Sequence, residues 1–235
     1  FGGRFRGQGK FRPRLKGSLE TTMFFDPIYF LFIGPAFLLG LFASWRVKST
    51  FASMSEVPAR MTGAQAARQM LDSGGLMSVG IEPVPGHLSD HYDPRAKVLR
   101  LSPEVYNGRS MAAIGVACHE AGHALQDAKA YAPLVIRNLA VPAAGFGSNA
   151  GMLMFIGGMI SGLQPLVWIG IALFSAVVFF QVVNLPVEFD ASARARRQLV
   201  SQGMISEMEE PYVAKVLNAA ALTYVAGTLQ AILTL

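Results

Sequence analysis

Long apolar runs alternate with mixed polar stretches along this chain. Residues 138–187 carry no charged side chain. A membrane-crossing helix needs about 20 apolar residues, so this run predicts two spans, residues 139–160 and 165–184, with a tight turn near Ser161–Pro165. Leu166–Val183 lacks the polar stripe of an amphipathic soluble helix, which disfavours a hairpin buried in a soluble core. Ile28–Trp45 is a second uncharged run, bounded by Asp26 and by Arg46 and Lys48. It predicts a first span over about 27–46, in which Pro35 is tolerable as in other membrane helices. Val216–Leu235 is uncharged too, but Asn218, Thr223 and Gln230 dilute it. Residues 216–235 are therefore either a fourth span or a helix packed on the others.

Two water-compatible blocks, 47–137 and 185–212, lie between these runs. In the first, Ala64, Ala67, Met70 and Leu71 recur at helical spacing and predict a helix over Thr62–Leu71, ended by Gly74-Gly75. Residues 79–101 read as short strands around a turn, with Lys97–Leu101 the clearest and suited to pairing with an extended peptide at its edge. Asn107-Gly108 marks a turn, after which Ser110 caps a helix running to Ala128. The second block predicts a separate helix over Val187–Gln202, starting where the hairpin leaves the membrane. Two spans return the chain to its starting side, so the two blocks share one side of the bilayer. The intervening turn has no Lys or Arg while both blocks do, which places the blocks in the cytoplasm.

Composition sharpens this picture. The chain has 235 residues, 52% hydrophobic and only 15% charged, against about 25% charged in an average soluble domain. One cysteine, Cys118, excludes an internal disulfide and reads as a small packing residue beside His119. The net charge of +5 owes much to residues 1–22, where Arg4, Arg6, Lys10, Arg12, Arg14 and Lys16 sit among glycines. This tail is expected to be disordered. Such charge suits nucleic acid or anionic lipid, but the plainer expectation is an extension upstream of a native start at Met23, with no nucleic-acid partner. A start at Met23 also removes the conflict of a basic tail on the outer face. Residues 23–235 are then a single membrane domain without a secretory signal pattern.

Chemistry concentrates at His119-Glu120-Ala121-Gly122-His123. Residues four apart share a helix face, so His119 and His123 can hold one Zn²⁺. Zinc lowers the pKa of a coordinated water towards ~7 and polarises a carbonyl, while Glu120 takes the proton as general base. The pattern recurs by chance in many proteins. Here it sits within the Ser110–Ala128 helix, behind apolar Ala112, Ile114 and Val116. Catalytic zinc takes three protein ligands. The third is His87, His91 or a carboxylate, and Glu188 is favoured because the hairpin returns it to the side of His119. Asp190 is expected to orient an imidazole from outside the ligand set or to be solvated near a helix N-terminus.

The segments Met23-Phe-Phe-Asp-Pro-Ile-Tyr-Phe30, Leu88-Ser-Asp-His-Tyr-Asp-Pro94, Gly108-Arg-Ser110, His119-Glu-Ala-Gly-His-Ala-Leu-Gln126, Val187-Glu-Phe-Asp-Ala-Ser192 and Leu217-Asn-Ala-Ala-Ala-Leu-Thr-Tyr224 together resemble the YugP-type neutral zinc metallopeptidases of bacterial membranes. The resemblance covers about residues 23–235. It implies a multi-pass zinc peptidase of the bacterial inner membrane, distantly similar to HtpX-type gluzincins, with His119, His123 and Glu188 as ligands. The implied architecture is a mainly α membrane protein. Three to four transmembrane helices would join a small α+β zincin-like catalytic domain with an HExxH helix. The HtpX-like pattern carries an Asp four residues after the ligand Glu; this chain has Ser192.

His87 and His91 are also four apart, but Pro85, Gly86 and Pro94 argue against a helix that would aim both at one ion. His91 is expected to line a substrate groove or to be a hydrogen-bonded turn residue. Tyr224 and Arg197 are weaker candidates for oxyanion stabilisation. The expected activity is endopeptidase action of one zinc ion on membrane or membrane-proximal proteins, with a peptide substrate and the lipid bilayer as partners. The alternatives are a site-2-protease-like intramembrane protease, which would favour Asp190 over Glu188 as ligand, and a catalytically silent zinc-binding scaffold.

Overall fold

The computed structural model describes residues 27–235. The basic tail and the Met23 start lie outside the described residues. In chain order the elements are helices α1 (Pro27–Ser55) and α2 (Gly63–Ser73), strands β1 (Gly80–Pro83), β2 (His91–Asp93) and β3 (Val98–Leu101), and helices α3 (Pro103–Tyr106), α4 (Met111–Ala128), α5 (Ala132–Ser161), α6 (Gln164–Ser201) and α7 (Glu210–Thr234). The protein is mainly helical with one small sheet.

Local signals explain the boundaries. Thr62 caps α2 in a reciprocal capping box with Gln65, and Gly74 ends it. Ser110 caps α4 by accepting from the Ala113 N–H at 3.2 Å. The turn between α5 and α6 is Gly162-Leu163, with Gly162 at φ +70, a left-handed conformation that glycine adopts without strain.

Among the described residues three helices are long and apolar enough to cross a membrane: α5, α6 and α7. The possible span at 216–235 therefore falls in one of them. α1 covers the expected first span and continues to Ser55. On α5, Leu139, Phe146, Leu153 and Ile160 recur every seventh residue and are all exposed, a stripe that suits lipid rather than water. The opposite face of α5 is built of small residues. A Cβ on Gly147 would meet the Leu173 carbonyl oxygen at 2.4 Å, and one on Gly170 the Phe155 nitrogen at 2.7 Å, so the two backbones touch as in other small-residue helix pairs.

Two expectations need correction. Val187–Gln202 is not a separate helix: α6 runs unbroken through Pro186. A proline removes one backbone hydrogen bond from the ladder, and packing of the flanking turns carries the helix through. Glu188 and Asp190 are consequently mid-helix, so no helix N-terminus acts on Asp190. At 1.5 Å per residue, the 38 residues of α6 extend roughly 57 Å, nearly twice the ~30 Å hydrocarbon layer, so a large part of the rod projects beyond it. The second correction concerns Lys97–Leu101. β3 is the central strand, parallel to β1 and antiparallel to β2. Both its sides are paired, and the edge near the histidines belongs to β2.

The main core lies in the polar lobe, where Met70, Leu71, Leu99, Leu101, Met111, Ile114, Cys118, Leu199 and Val213 are buried together. It joins α2, the sheet, α4, the distal part of α6 and the start of α7.

Candidate metal centre

α4 and α6 cross at Gly122. A Cβ there would lie 2.8 Å from the Ala191 carbonyl oxygen and 3.2 Å from its Cα. On α6, Val187, Ala191, Ala195 and Leu199 form the buried face, and small Ala191 and Ala195 let α4 approach. This approach brings Glu188, 3% exposed, against the two imidazoles.

The ligand atoms of His119, His123 and Glu188 all lie within 4.8 Å of one another. Glu188 Oε2 is 3.2 Å from His119 Nε2 and 3.6 Å from His123 Nε2. Metal bonds of about 2.0–2.2 Å at a tetrahedral angle separate ligand atoms by roughly 3.3–3.6 Å, so the donor set fits a zinc ion in size as well as in chemistry.

The far side of each ring is held by a hydrogen bond. Gln126 Nε2 donates to the Val187 carbonyl and to Asp190 Oδ2, both at 2.8 Å. Its Oε1 is left to accept from His123 Nδ1–H at 3.0 Å. His119 Nδ1 is 3.1 Å from Ser192 Oγ. With a metal bound, Nδ1 protonated towards Gln126 would leave the His123 Nε2 lone pair for the shared locus, and the Ser192 hydroxyl, accepting from Nδ1, would do the same for His119. Asp190 thus orients His123 through Gln126, is itself held by Arg194 Nε at 2.5 Å, and is not among the clustered ligands. That geometry favours Glu188 over Asp190.

Glu120 Oε2 accepts from the Tyr92 N–H at 3.1 Å, which ties the outer edge of β2 to α4. Tyr92 donates its hydroxyl to Asp127 at 2.7 Å; burial and that carboxylate push its pKa up, so it stays a neutral donor. Burial also raises the Asp90 carboxyl above its usual range, against the hydrogen bonds from Ser102. For His123, burial disfavours the charged ring, but the Glu188 and Glu120 carboxylates outweigh it and hold the pKa above the ordinary imidazole value. Cys118 is fully buried and its thiol is pushed up by burial alone, as expected of a packing residue.

Two chambers flank Glu120. One of about 130 Å³ is lined by Asp90, His91, His123, Arg137, Glu188 and Tyr224, among others. The other, about 360 Å³ and more apolar, runs between α1 and α7 past Val47, Phe51, Val216 and Leu217 to His119. Asp90, Glu120 and Tyr224 line both. His91 lines the smaller chamber, with Nδ1–H donating to the Ser89 carbonyl at 2.9 Å, while exposed His87 bonds Glu104 away from the cluster. Arg197 is exposed on α6 and lines neither chamber. The sequence alone assigned no role to Arg137, Gln126 or Asp90, and Asn184 counted only as part of Asn184-Leu-Pro186, in favour of the site-2-protease-like alternative. A sequence signal did exist for Arg137, the last charged residue before the uncharged run, and for Gln126, a polar residue on the His123 face.

The chain matches the family described as "Putative neutral zinc metallopeptidase" over residues 29–235. The chain belongs to this family. It is also 52% identical over 203 residues to "Putative membrane protease YugP" of Bacillus subtilis (strain 168), covering 85% of this chain and 90% of that relative. No solved structure matches it. Membership of a zinc metallopeptidase family supports zinc as the ion for the His-His-Glu cluster and a protease as the activity, and the apolar helices agree with the relative's description as a membrane protein.

Proposed function

We propose that this protein is a zinc-dependent endopeptidase of the bacterial inner membrane. It would act from the cytoplasmic face on membrane or membrane-proximal proteins. His119, His123 and Glu188 hold one zinc ion, and Glu120 is the general base. The observation that carries this reading is the convergence of two Nε2 atoms on one Glu188 oxygen, with Glu120 on the same helix beside them. The polar lobe then has the zincin-like plan of a histidine-bearing helix under a small sheet.

When bound, zinc supplies Lewis acidity and a water made acidic enough to lose a proton near neutral pH. The remaining work belongs to the chain. Glu120 takes that proton and delivers it to the leaving amine. Tyr224, at the junction of the chambers, donates to the oxygen of the attacked carbonyl. β2 is an edge strand, and the Tyr92 N–H already points outward at Glu120. A substrate backbone paired along this edge passes beside the base. The larger chamber accepts an apolar side chain and opens between α1 and α7, helices shared with the membrane region.

The test is Glu120→Gln in detergent-purified protein. Bound zinc, measured by elemental analysis, should stay at wild-type stoichiometry, while cleavage of a fluorogenic peptide falls by about 10²- to 10⁴-fold. Undiminished cleavage removes Glu120 from the chemistry. Undiminished biological activity without cleavage returns the protein to a zinc-binding scaffold.

A further inference from the structure

The proposed peptidase chemistry uses nothing at the far wall of the smaller chamber, where Arg137 stands on α5. Its Nε donates to Asn184 Oδ1 at 3.1 Å and its Nη1 to Asn138 Oδ1 at 3.0 Å. Asn184 is 4% exposed and sits one turn before Glu188 on α6, so the two amides hold the guanidinium on the face that carries the cluster. Among the described residues no carboxylate lies within 4.0 Å of it, and Nη2 makes no hydrogen bond.

The neighbouring acids are already engaged. Asp90 accepts from Ser102, Asp93 pairs with Arg100 at 2.7 Å, and Glu188 faces the histidines. A half-buried guanidinium held only by neutral amides keeps its charge unneutralised and its free edge accessible, an arrangement that suits an arriving anion. A role as a lipid-facing anchor fits poorly. The lipid side of this turn belongs to Val135, Ile136 and Leu139, which are exposed, whereas Arg137 turns inward to line the chamber with His123 and Tyr224. A volume of about 130 Å³ suits one side chain or one chain terminus, and guanidinium geometry matches a carboxylate in two-point contact.

We propose that Arg137 is a substrate-specificity residue that receives a peptide carboxylate next to the scissile bond, either an Asp or Glu side chain or a free C-terminus. This rests on the peptidase reading above and adds the chemical class of substrate. Substrates would be cut close to an acidic residue or close to their own C-terminal end.

The experiment uses three peptides of one apolar sequence: an internal Asp with an amidated end, an internal Asn with an amidated end, and the same Asn peptide with a free acid end, so that the amidated Asn peptide is the neutral member of both pairs. Zinc-loaded wild type should prefer the carboxylate form of one pair by about 10- to 100-fold in kcat/KM, and the preferred pair identifies the source of the carboxylate. Arg137→Ala should abolish the preference, and Arg137→Lys, which keeps charge without the planar fork, should retain part of it. The same peptides with a fluorescent label are titrated into the Glu120→Gln protein, where affinity is read without turnover and the same ranking is expected. Equal rates and equal affinities across all three peptides overturn the role of Arg137 while leaving the peptidase standing, as does an unchanged preference in Arg137→Ala. Zinc-loaded wild type that cleaves none of them overturns the peptidase reading, and Arg137 is then decided by the binding ranking alone.

Discussion

The two ends of α6 are one helix built to opposite rules. Near its start, Trp168 and Phe179 are exposed apolar side chains, and Gly170 meets α5 backbone to backbone. Near its end, Glu188 and Ala191 are buried against α4, and Arg196 and Arg197 turn outward. The first end presents its oily face to the surroundings and the second hides a carboxylate. The contrast teaches that burial follows the solvent, not the helix. In lipid, apolar exposure costs nothing and close packing comes from small residues. In water, the same rod must cover its apolar face, and a buried acid persists only with partners.

This comparison can be broken at either end. The largest effect is expected from Glu188→Ala, which should weaken zinc binding by more than about 100-fold, since even residues outside the ligand set are worth about 10- to 100-fold. Competition against a chromophoric chelator measures it, and wild-type affinity would remove Glu188 from the ligand set. Gln126→Ala should cost about 10- to 100-fold in the same titration, because His123 loses the acceptor that fixes its tautomer. Gly147→Leu acts on the other end. Its first side-chain carbon would collide with the Leu173 carbonyl, and overpacking of this kind costs about 1–3 kcal/mol. Unfolding in mixed detergent should shift accordingly, with zinc per folded molecule unchanged.

The smallest effect around neutrality is the pH dependence of zinc affinity. A ligand imidazole must be deprotonated to bind, and without zinc the His123 pKa is raised. A raised pKa makes protons compete sooner. Affinity should be flat at high pH and start to fall above the ordinary imidazole value of about 6.5. Titration of zinc release against pH checks this, and an onset below that value contradicts the raised pKa.

Much of this was legible in the residues. The uncharged run 138–187 became the α5–α6 pair because fifty residues without charge leave few alternatives. Ser110 and the four-residue histidine spacing located the helix that carries His119 and His123. Glu188 was reachable because a hairpin returns the chain to its own side. The continuity of α6 was hidden, since Pro186 reads as a break when the packing on both sides of it is unknown. The pairing of β3 on both edges was equally invisible, because strand order is set by contacts between distant segments. Gly122 carried an unread signal. A glycine inside a helix costs about 1 kcal/mol relative to alanine, which called for a steric reason such as the α6 backbone against it. Arg137 and Asn184 are 47 residues apart, and no local pattern joins them.

One consequence of the unbroken α6 concerns mechanics. Glu188 stands about 13 residues beyond the middle of the hydrophobic stretch, a lever arm of roughly 20 Å. Tilting the rod by about 5° would carry its carboxylate roughly 1.7 Å sideways, whereas metal bonds tolerate about 0.2 Å. With α6 continuous through Pro186, a change in bilayer thickness, which sets the tilt of long helices, would be passed along the rod to the His-His-Glu cluster.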